Sequence, residues 1–144
     1  KELGFVGNPS KINTKILKNF IEDNFIPVLT PMGIDENNKA YNINADTAAG
    51  ALATSLKSRR LLLMTDVEGV YDKNKKIISE IKPSEAEKLI YDETIKEGMI
   101  PKIRTCINAV ENGVRGVVII DGRKPHSILF ELFSDQGSGT LIRK

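Results

Sequence analysis

The sequence is poor in the residues on which many catalytic and metal sites depend. Its 144 residues include one cysteine, Cys106, and one histidine, His126. A single cysteine excludes an internal disulfide and a cysteine-based zinc site, and it favours a reducing compartment. With one histidine, no Ser-His-Asp or Cys-His set can be assembled convincingly. We therefore expect Cys106 to be a small buried residue of a helix, and we expect no metal site built from protein ligands.

Other features are also missing. We expect neither a membrane span nor a signal peptide, because no suitable apolar run is present. The 21 basic and 19 acidic residues nearly cancel, which gives no reason to expect nucleic-acid binding. The short basic pairs Arg59-Arg60 and Lys75-Lys76 are expected to be solvated. No glycine-rich loop is followed by Lys and Ser or Thr, which excludes a P-loop. The sequence starts at Lys1 without methionine and enters a turn at once, so we expect a cut chain.

The apolar residues alternate between helical spacing and short continuous runs. Hydrophobic residues make up 40% of the chain, which is typical of one globular domain or one lobe of a larger protein. We predict a polar hairpin or loop over 32–39, a glycine-rich turn over 137–139, and a capping box of Ser84 and Glu87. The predicted helices are 13–25, 46–57, one beginning at 83, one ending at the Asn112-Gly113 stop signal, and 126–133; the predicted strands are 26–31, 61–65 and 117–120.

Two of these strands, 61–65 and 117–120, are continuous apolar runs. Such runs are typical of parallel strands that are covered on both faces. Strands that alternate with helices indicate an α/β fold with a mainly parallel sheet. Because ligands of such sheets bind beyond the carboxyl ends of the strands, we predict a working edge formed by Thr65–Tyr71 and Asp121–Arg123.

Polar side chains crowd the start of the small-residue helix over 46–57. Asn42, Asn44 and Asp46 fall within five residues of one another. Because helix N-termini attract anions, this start is a candidate for an anionic ligand, and an ordinary polar cap is the alternative. Lys102 is either solvated or held against phosphate, and Asp66 is placed to accept from ribose hydroxyls or an amine. These residue types fit phosphoryl transfer, which needs positioning and charge stabilisation.

Three segments carry a closer likeness. Residues 41–49 read YNINADTAA, residues 63–70 read LMTDVEGV, and residues 98–102 read GMIPK. They resemble, in order, the signature of the acetylglutamate kinase family, the nucleotide loop shared by amino-acid kinases, and the GMIPK element. The resemblance covers essentially the whole chain and also includes 4–7, 26–28 and 119–140.

The resemblance implies an ATP-dependent kinase that phosphorylates the side-chain carboxylate of N-acetyl-L-glutamate to an acyl phosphate, in arginine biosynthesis. It implies an open αβα sandwich with two lobes. Residues 1–58 would complete the acetylglutamate-binding lobe, and residues 59–144 would form the nucleotide-binding lobe. ATP is expected to arrive with Mg²⁺, which phosphates and water would mainly hold. We also expect a cytoplasmic homo-oligomer, a dimer or hexamer, when the protein is complete.

The resemblance also assigns roles to single residues. Asn42 would bind the acetylglutamate, Asp46 would orient the catalytic lysines, and Lys102 would neutralise charge on the transferring phosphoryl group. The nucleotide would lie against two short segments. Their residues are Thr65, Asp66, Val67, Glu68, Gly69, Val70 and Tyr71, and Thr94, Ile95 and Lys96.

Two departures from the family pattern are expected to matter. The sequence lacks the N-terminal half, which would supply a glycine-rich phosphate loop, another lysine and an arginine for the substrate carboxylate. We therefore expect the 144 residues to be inactive by themselves. Glu97 stands where the family often has glycine. A carboxylate near ATP phosphates is unfavourable unless it points away or pairs with a lysine.

His126, Glu131 and Gly137 are spaced as in arginine-inhibited members of the family. The resemblance implies that L-arginine inhibits the enzyme and that its guanidinium pairs with Glu131. The alternative is that His126 caps a helix and Glu131 is solvated. Two further alternatives stay open: another amino-acid kinase acting on glutamate, aspartate, aminoadipate or UMP, and a non-catalytic module that binds ATP or arginine. The polar segment 42–46 argues against the other kinases.

Overall fold

The computed structural model describes residues 4–135 and 137–144. These residues form a small hairpin sheet followed by a four-stranded sheet with helices. No helix in the described part is long and apolar enough to cross a membrane. The helices are α1 (Thr14–Glu22), α2 (Ala45–Leu56), α3 (Pro83–Tyr91), α4 (Met99–Glu111) and α5 (Ser127–Phe133); the strands are β1 (Met32–Ile34), β2 (Ala40–Asn42), β3 (Leu61–Thr65), β4 (Glu80–Ile81), β5 (Val117–Asp121) and β6 (Gly139–Ile142).

The first predicted helix and the predicted hairpin are both confirmed. Asn13 opens α1, because its side chain accepts a hydrogen bond from Lys15 N (3.2 Å). Strands β1 and β2 then pair antiparallel. Asp35 fixes the turn between them, since its carboxylate accepts from the backbone N–H groups of Asn37 and Lys39 at 2.8 and 2.9 Å.

The strand predicted over 26–31 is wrong. This segment has no regular structure, and β1 begins only after it. Pro27 and Pro31 lack the N–H that a strand ladder needs, and no strand in the described part pairs with the segment. Ile26 and Val28 are consequently 89% and 94% exposed.

The main sheet has the strand order β3-β5-β6-β4. β3 pairs in parallel with β5, and β4 with β6, whereas β5 and β6 are antiparallel. The predicted α/β fold with a mainly parallel sheet is therefore confirmed. The turn predicted over 137–139 is one residue too long, because Gly139 already starts β6. A side chain at Gly139 would overlap the carbonyl oxygen of Ile119, so a glycine is needed for the close approach of β6 to β5.

Strand β5 is the centre of the core, and all its residues are buried, as its apolar run predicted. Helix α4 contributes Ile103, Ile107 and Val110 to the same core and ends at the predicted stop, where Gly113 has a φ of +105°. Strand β3 is covered less completely than predicted, because Met64 is 48% exposed.

Helix α3 begins two residues earlier than the predicted capping box requires. Lys82 is the N-cap residue and Pro83 the first helical residue, a position that suits the fixed φ of proline. The carboxylate that reaches back is Glu85, which accepts from Lys82 N (3.0 Å). The capping box assigned to Ser84 and Glu87 is therefore wrong, because the proline rather than the serine sets the start of the helix.

Candidate active site

The carboxyl ends of β3 and β5 lie side by side, as predicted for a working edge. Their last residues, Thr65 and Asp121, are paired in the sheet. Gly122 N donates to Thr65 O (2.8 Å), so the two loops that leave these strands start from one fixed point. The predicted juxtaposition of 65–71 with 121–123 is confirmed.

Asp121 organises the second of these loops. It is 3% exposed, and its carboxylate accepts from Arg123 N, Nε and Nη2, each at 2.9 Å. This bidentate contact holds the guanidinium at the sheet edge. The hydrogen bonds from Arg123 lower the pKa of Asp121 from 3.8 to about 2, and the same contact raises the pKa of Arg123.

The Asp121–Arg123 pair predicts a loss of stability in acid. A carboxylate whose pKa falls on folding stabilises the folded state above its unfolded pKa of 3.8, and this contribution disappears as the pH drops towards about 2. We expect Asp121→Asn to lose less free energy of unfolding than the wild type between about pH 5 and about pH 2. Urea unfolding at a series of pH values measures this difference. Identical acid slopes for the two proteins would contradict the assignment.

The loop that follows β3, over 65–71, carries a second charged network. Glu68 accepts from Tyr71 OH (3.2 Å) and pairs with Lys124 Nζ (2.5 Å), which ties the first loop to the second. The hydrogen bond from Lys124 lowers the pKa of Glu68, and burial raises the pKa of Tyr71. Asp66 is exposed and accepts from Thr65 Oγ1 (3.2 Å). Carboxylates and hydroxyls placed in this way can bind ribose hydroxyls or an exocyclic amine.

The second segment predicted to border a nucleotide, Thr94–Lys96, connects α3 to α4. Thr94 Oγ1 donates to Asp92 Oδ1 (2.6 Å), and this bond is the main reason that the pKa of Asp92 falls to about 2. Lys96 is exposed. Ile95 and, in the first loop, Val70 are 4% and 2% exposed and belong to the core, so only their backbone is free to contact a ligand.

An ion pair joins the starts of two helices. Asp46 lies in the first turn of α2 and Lys102 near the start of α4, and Lys102 Nζ donates to Asp46 Oδ2 (2.5 Å). Their side chains are only 27% and 15% exposed. An ammonium group beside two helix N-termini is a favourable environment for an anion such as a phosphoryl group.

A glycine explains how α2 and α4 approach so closely. A side chain at Gly50 would lie 2.7 Å from Thr105 Cγ2. Gly50 is one turn beyond Asp46 in α2, and Thr105 is about one turn beyond Lys102 in α4, so the close contact and the ion pair lie on the same helix faces. The small residues of α2 thus set the distance at which the two charges meet.

The three polar residues before and in α2 have separate places. Asn44 is the N-cap, and its Oδ1 accepts from Thr47 N (3.2 Å), which is the ordinary polar cap. Asn42 is exposed at the end of β2, where its backbone N–H donates to Phe5 O (2.8 Å). The structure therefore brings Asp46 and Lys102 together, while substrate binding by Asn42 stays a prediction.

Glu97 adopts the backbone geometry of the glycine that the resemblance leads us to expect. Its φ is +41°, in the left-handed region, and its side chain is exposed next to Gly98, the N-cap of α4. Glycine enters this region without steric cost, which accounts for its preference at this position.

Two of the three predicted effector residues come together. Glu131 is 7% exposed and accepts from Ser138 N (3.0 Å), and a side chain at Gly137 would lie 3.0 Å from Glu131 Oε2. The alternative in which Glu131 is solvated is therefore wrong. His126 is exposed at the N-cap position of α5, and its side chain makes no capping hydrogen bond.

Arg60 is a residue of this region that the sequence did not reveal. Expected to be solvated, it donates from Nη1 to Glu131 Oε1 (3.0 Å) and to the backbone oxygen of Glu131 (3.4 Å). Both residues line a cavity of about 230 Å³. The sequence offered one indication of this role: Arg60 directly precedes the apolar strand 61–65, so its side chain starts at the end of the sheet.

Cys106 is fully buried in α4, as predicted, and burial raises the pKa of its thiol to about 12. A thiol that stays protonated at neutral pH is a poor nucleophile and a poor metal ligand. Within residues 4–135 and 137–144, no three or more His, Cys, Asp or Glu side chains are grouped as a metal ion would require.

An α/β fold whose polar loops leave the carboxyl edge of parallel strands is the architecture of many nucleotide-binding domains. The family model described as "Amino acid kinase family" matches residues 1–121, and the chain belongs to this family.

The chain spans about half the length of the curated relatives it matches. Acetylglutamate kinase from Pelagibacter ubique is 56% identical over 144 residues, which make up 100% of this chain and 50% of that protein. N-acetylglutamate synthase from Neisseria gonorrhoeae, crystallised with coenzyme A and L-arginine, matches with a TM-score of 0.91 and 28% identity over 97% of this chain and 32% of its own. Carbamate kinase from Giardia lamblia bound to AMP-PNP matches with a TM-score of 0.75 and 26% identity over 96% of this chain and 47% of its own.

Proposed function

We propose that this chain is part of an acetylglutamate kinase, which uses ATP to phosphorylate the side-chain carboxylate of N-acetyl-L-glutamate. The observation that carries the proposal is the Asp46–Lys102 ion pair between the starts of α2 and α4. The 56% identity to a protein of that name supports the choice of substrate. The acyl phosphate product would serve arginine biosynthesis, and we place the complete enzyme in the cytoplasm as a homo-oligomer.

The ion pair suits a reaction in which the substrate is its own nucleophile. An oxygen of the substrate carboxylate attacks the γ-phosphorus, the phosphoryl group is transferred, and ADP leaves. Lys102 is placed to balance the charge on the transferring group, as phosphoryl transfer requires. Asp46 holds that ammonium group in position beforehand, so that little reorganisation is needed during the reaction. Asn42, exposed at the end of β2, is the residue that we assign to acetylglutamate.

We place ATP against the carboxyl edge of the main sheet. Asp66, Glu68 and Thr94 offer polar groups for the ribose and adenine, and Lys96 is an exposed cation two residues after Thr94. The structural likeness to a carbamate kinase bound to AMP-PNP supports the choice of a nucleotide as the ligand. Mg²⁺ that accompanies ATP would be held by phosphates and water, because the described residues offer no three-ligand group for it.

A coupled assay of ADP release by the full-length protein that contains this chain tests the proposal. We expect turnover with N-acetyl-L-glutamate and a kcat/KM lower by about 10²-fold or more with glutamate, aspartate, aminoadipate and UMP, because these leave groups of the substrate site unpaired. Faster turnover with any of the four would assign the chain to another amino-acid kinase. ATP or arginine binding without any turnover would instead favour the regulatory module.

We also propose that L-arginine inhibits the enzyme at Glu131. The buried carboxylate already binds one guanidinium, that of Arg60, within a cavity that has polar walls. An arginine ligand would share this carboxylate with Arg60 or displace it. The likeness to a synthase crystallised with L-arginine supports the choice of arginine as the ligand.

Glu131→Gln is expected to raise the arginine concentration for half-inhibition about tenfold or more, because the amide loses the charge-assisted bond to a guanidinium. The KM values for ATP and acetylglutamate should change little. Inhibition curves for Glu131→Gln, with Glu111→Gln at the exposed end of α4 as the control, measure the effect. Equal sensitivity in the wild type and Glu131→Gln would contradict the site.

A further inference from the structure

A buried hydroxyl connects the main sheet to the loop that we assign to the nucleotide. Thr140 lies in β6 and is fully buried. Its Oγ1 accepts a hydrogen bond from Val70 N (2.8 Å) and donates one to Ile78 O (2.6 Å). One side chain thus satisfies a donor and an acceptor of the segment that follows β3.

The hydroxyl of Thr140 satisfies the two backbone groups of Val70 and Ile78 that do not bond to each other directly. Ile78 N donates directly to Val70 O (2.8 Å), and Tyr71 and Ile77 form an antiparallel bridge next to it. Paired residues of an antiparallel ladder normally exchange two hydrogen bonds. Between Val70 and Ile78 the hydroxyl of Thr140 replaces the second direct bond. It thereby links the start and end of the hairpin formed by residues 70–78 to β6.

Gly69 provides the space for this contact. A side chain there would lie 2.6 Å from Thr140 Oγ1 and 3.3 Å from Ile77 Cγ2. Gly69 is itself buried, so a larger residue could not turn towards solvent without moving the loop. The glycine that the resemblance places in the nucleotide loop is required here for the approach of a side chain from another strand.

We propose that Thr140 is a positioning residue for the nucleotide site. The loop is fixed at its beginning by the bond from Gly122 N to Thr65 O and at its end by Thr140. Only the four residues 66–69 lie between these fixed points, so the carboxylates of Asp66 and Glu68 are presented from a defined backbone. The inference rests on the proposed function, in which ATP lies against this loop.

Thr140→Val keeps the shape of the side chain and removes the hydroxyl. It leaves the buried N–H of Val70 and the half-buried C=O of Ile78 without their partner, so the backbone pairing of these two residues opens more easily. In the full-length enzyme we expect the KM for ATP to rise about tenfold, with kcat and the KM for acetylglutamate within about twofold of the wild type. Thr140→Ser, which retains the hydroxyl, is expected to restore the wild-type KM.

Ile142→Val is the matched control. Ile142 is fully buried on the same face of β6, but it pairs with Val117 and Ile81, away from the loop. This variant weakens the core without touching the hydrogen bonds of Val70. If it raised the KM for ATP as much as Thr140→Val does, the effect would be a general loosening of the sheet and the proposal would fail.

Hydrogen exchange at the amide of Val70 provides a readout that needs no activity. We expect this amide to be protected in the wild type and in Thr140→Ser and to exchange at least about tenfold faster in Thr140→Val. Equal exchange in wild type and Thr140→Val would show that the Thr140 hydroxyl does not hold the amide of Val70. Faster exchange with an unchanged KM for ATP would overturn the positioning role. A wild type without turnover would overturn the proposed function and, with it, the role of Thr140 in ATP binding. The exchange data would still test whether the Thr140 hydroxyl holds the amide of Val70.

Discussion

Lys102→Met in the full-length enzyme is expected to lower kcat for acetylglutamate phosphorylation by about 10²–10³-fold. The side chain of Lys102 is 15% exposed, and its ammonium group is held at 2.5 Å from Asp46 Oδ2, so the charge is available at a fixed place when charge redistributes on the phosphoryl group. Because this interaction is strongest in the transition state, the KM values for ATP and acetylglutamate should change much less than kcat.

The role of Asp46 is separable from that of Lys102. Asp46→Asn keeps an oxygen that accepts from the lysine but removes the charge that holds it, so we expect a smaller fall in kcat, about tenfold to 10²-fold. If the two residues act as a unit, the double variant Asp46→Asn with Lys102→Met will be little slower than Lys102→Met alone. Additive losses would show instead that the two residues act independently.

Arg115→Met is the control for the loss of a cation. Arg115 is exposed after the end of α4, so this variant removes one positive charge without disturbing the ion pair. Its kcat should stay within about twofold of the wild type. If the kcat of Lys102→Met also stayed within about twofold of the wild type, Lys102 would have no role in the chemical step.

The sequence was most informative where hydrophobic pattern and packing agree. The apolar run of β5 correctly indicated a strand with both faces covered, whereas the run of β3 lies at the edge of the described sheet and leaves Met64 48% exposed. The segment 26–31 also contains three apolar residues, but its two prolines and the lack of a neighbouring strand in the described part leave it irregular. A strand needs a partner, and the partner of a strand is not a local property of sequence.

Single site residues could be predicted from the helix or strand that carries them. Contacts between residues far apart in the sequence could not. Asp46 is marked by its own helix start, whereas its contact with Lys102 depends on the close packing of α2 and α4 at Gly50. The contact of Arg60 with Glu131 spans 71 residues, and that of Val70 with Thr140 spans 70. Such pairs follow from the order of strands in the sheet, which periodicity does not give.

The 144 residues by themselves are expected to give no acetylglutamate kinase turnover above background. The curated relatives are about twice as long as this chain, and the resemblance assigns a glycine-rich phosphate loop and another lysine to the half that is absent from it. Lys102 alone would face a phosphoryl group that nothing else holds in line with the substrate, and positioning supplies much of the barrier reduction in such reactions. The coupled assay on the isolated chain measures this, and clear turnover would refute it.

The surface of the chain indicates where the other half would bind. The apolar segment 26–31 is open to solvent, with Ile26 and Val28 89% and 94% exposed, and an open groove of about 790 Å³ lies between α1, the β1–β2 hairpin and α2. Because contiguous exposed apolar patches are typical of interfaces, we expect this surface to contact the half that the longer relatives contain. We therefore expect activity to appear when the remaining half of the enzyme is supplied as a separate polypeptide.

Val28→Asp should prevent this reconstitution, because it places a charge in the surface that has to be covered. Tyr91→Asp is the matched control, since Tyr91 is 92% exposed at the end of α3, in the part of the chain that we assign to the nucleotide. We expect Tyr91→Asp to reconstitute like the wild type and Val28→Asp to stay inactive at the same concentrations. Equal reconstitution by both variants would mean that the two halves do not meet across 26–31.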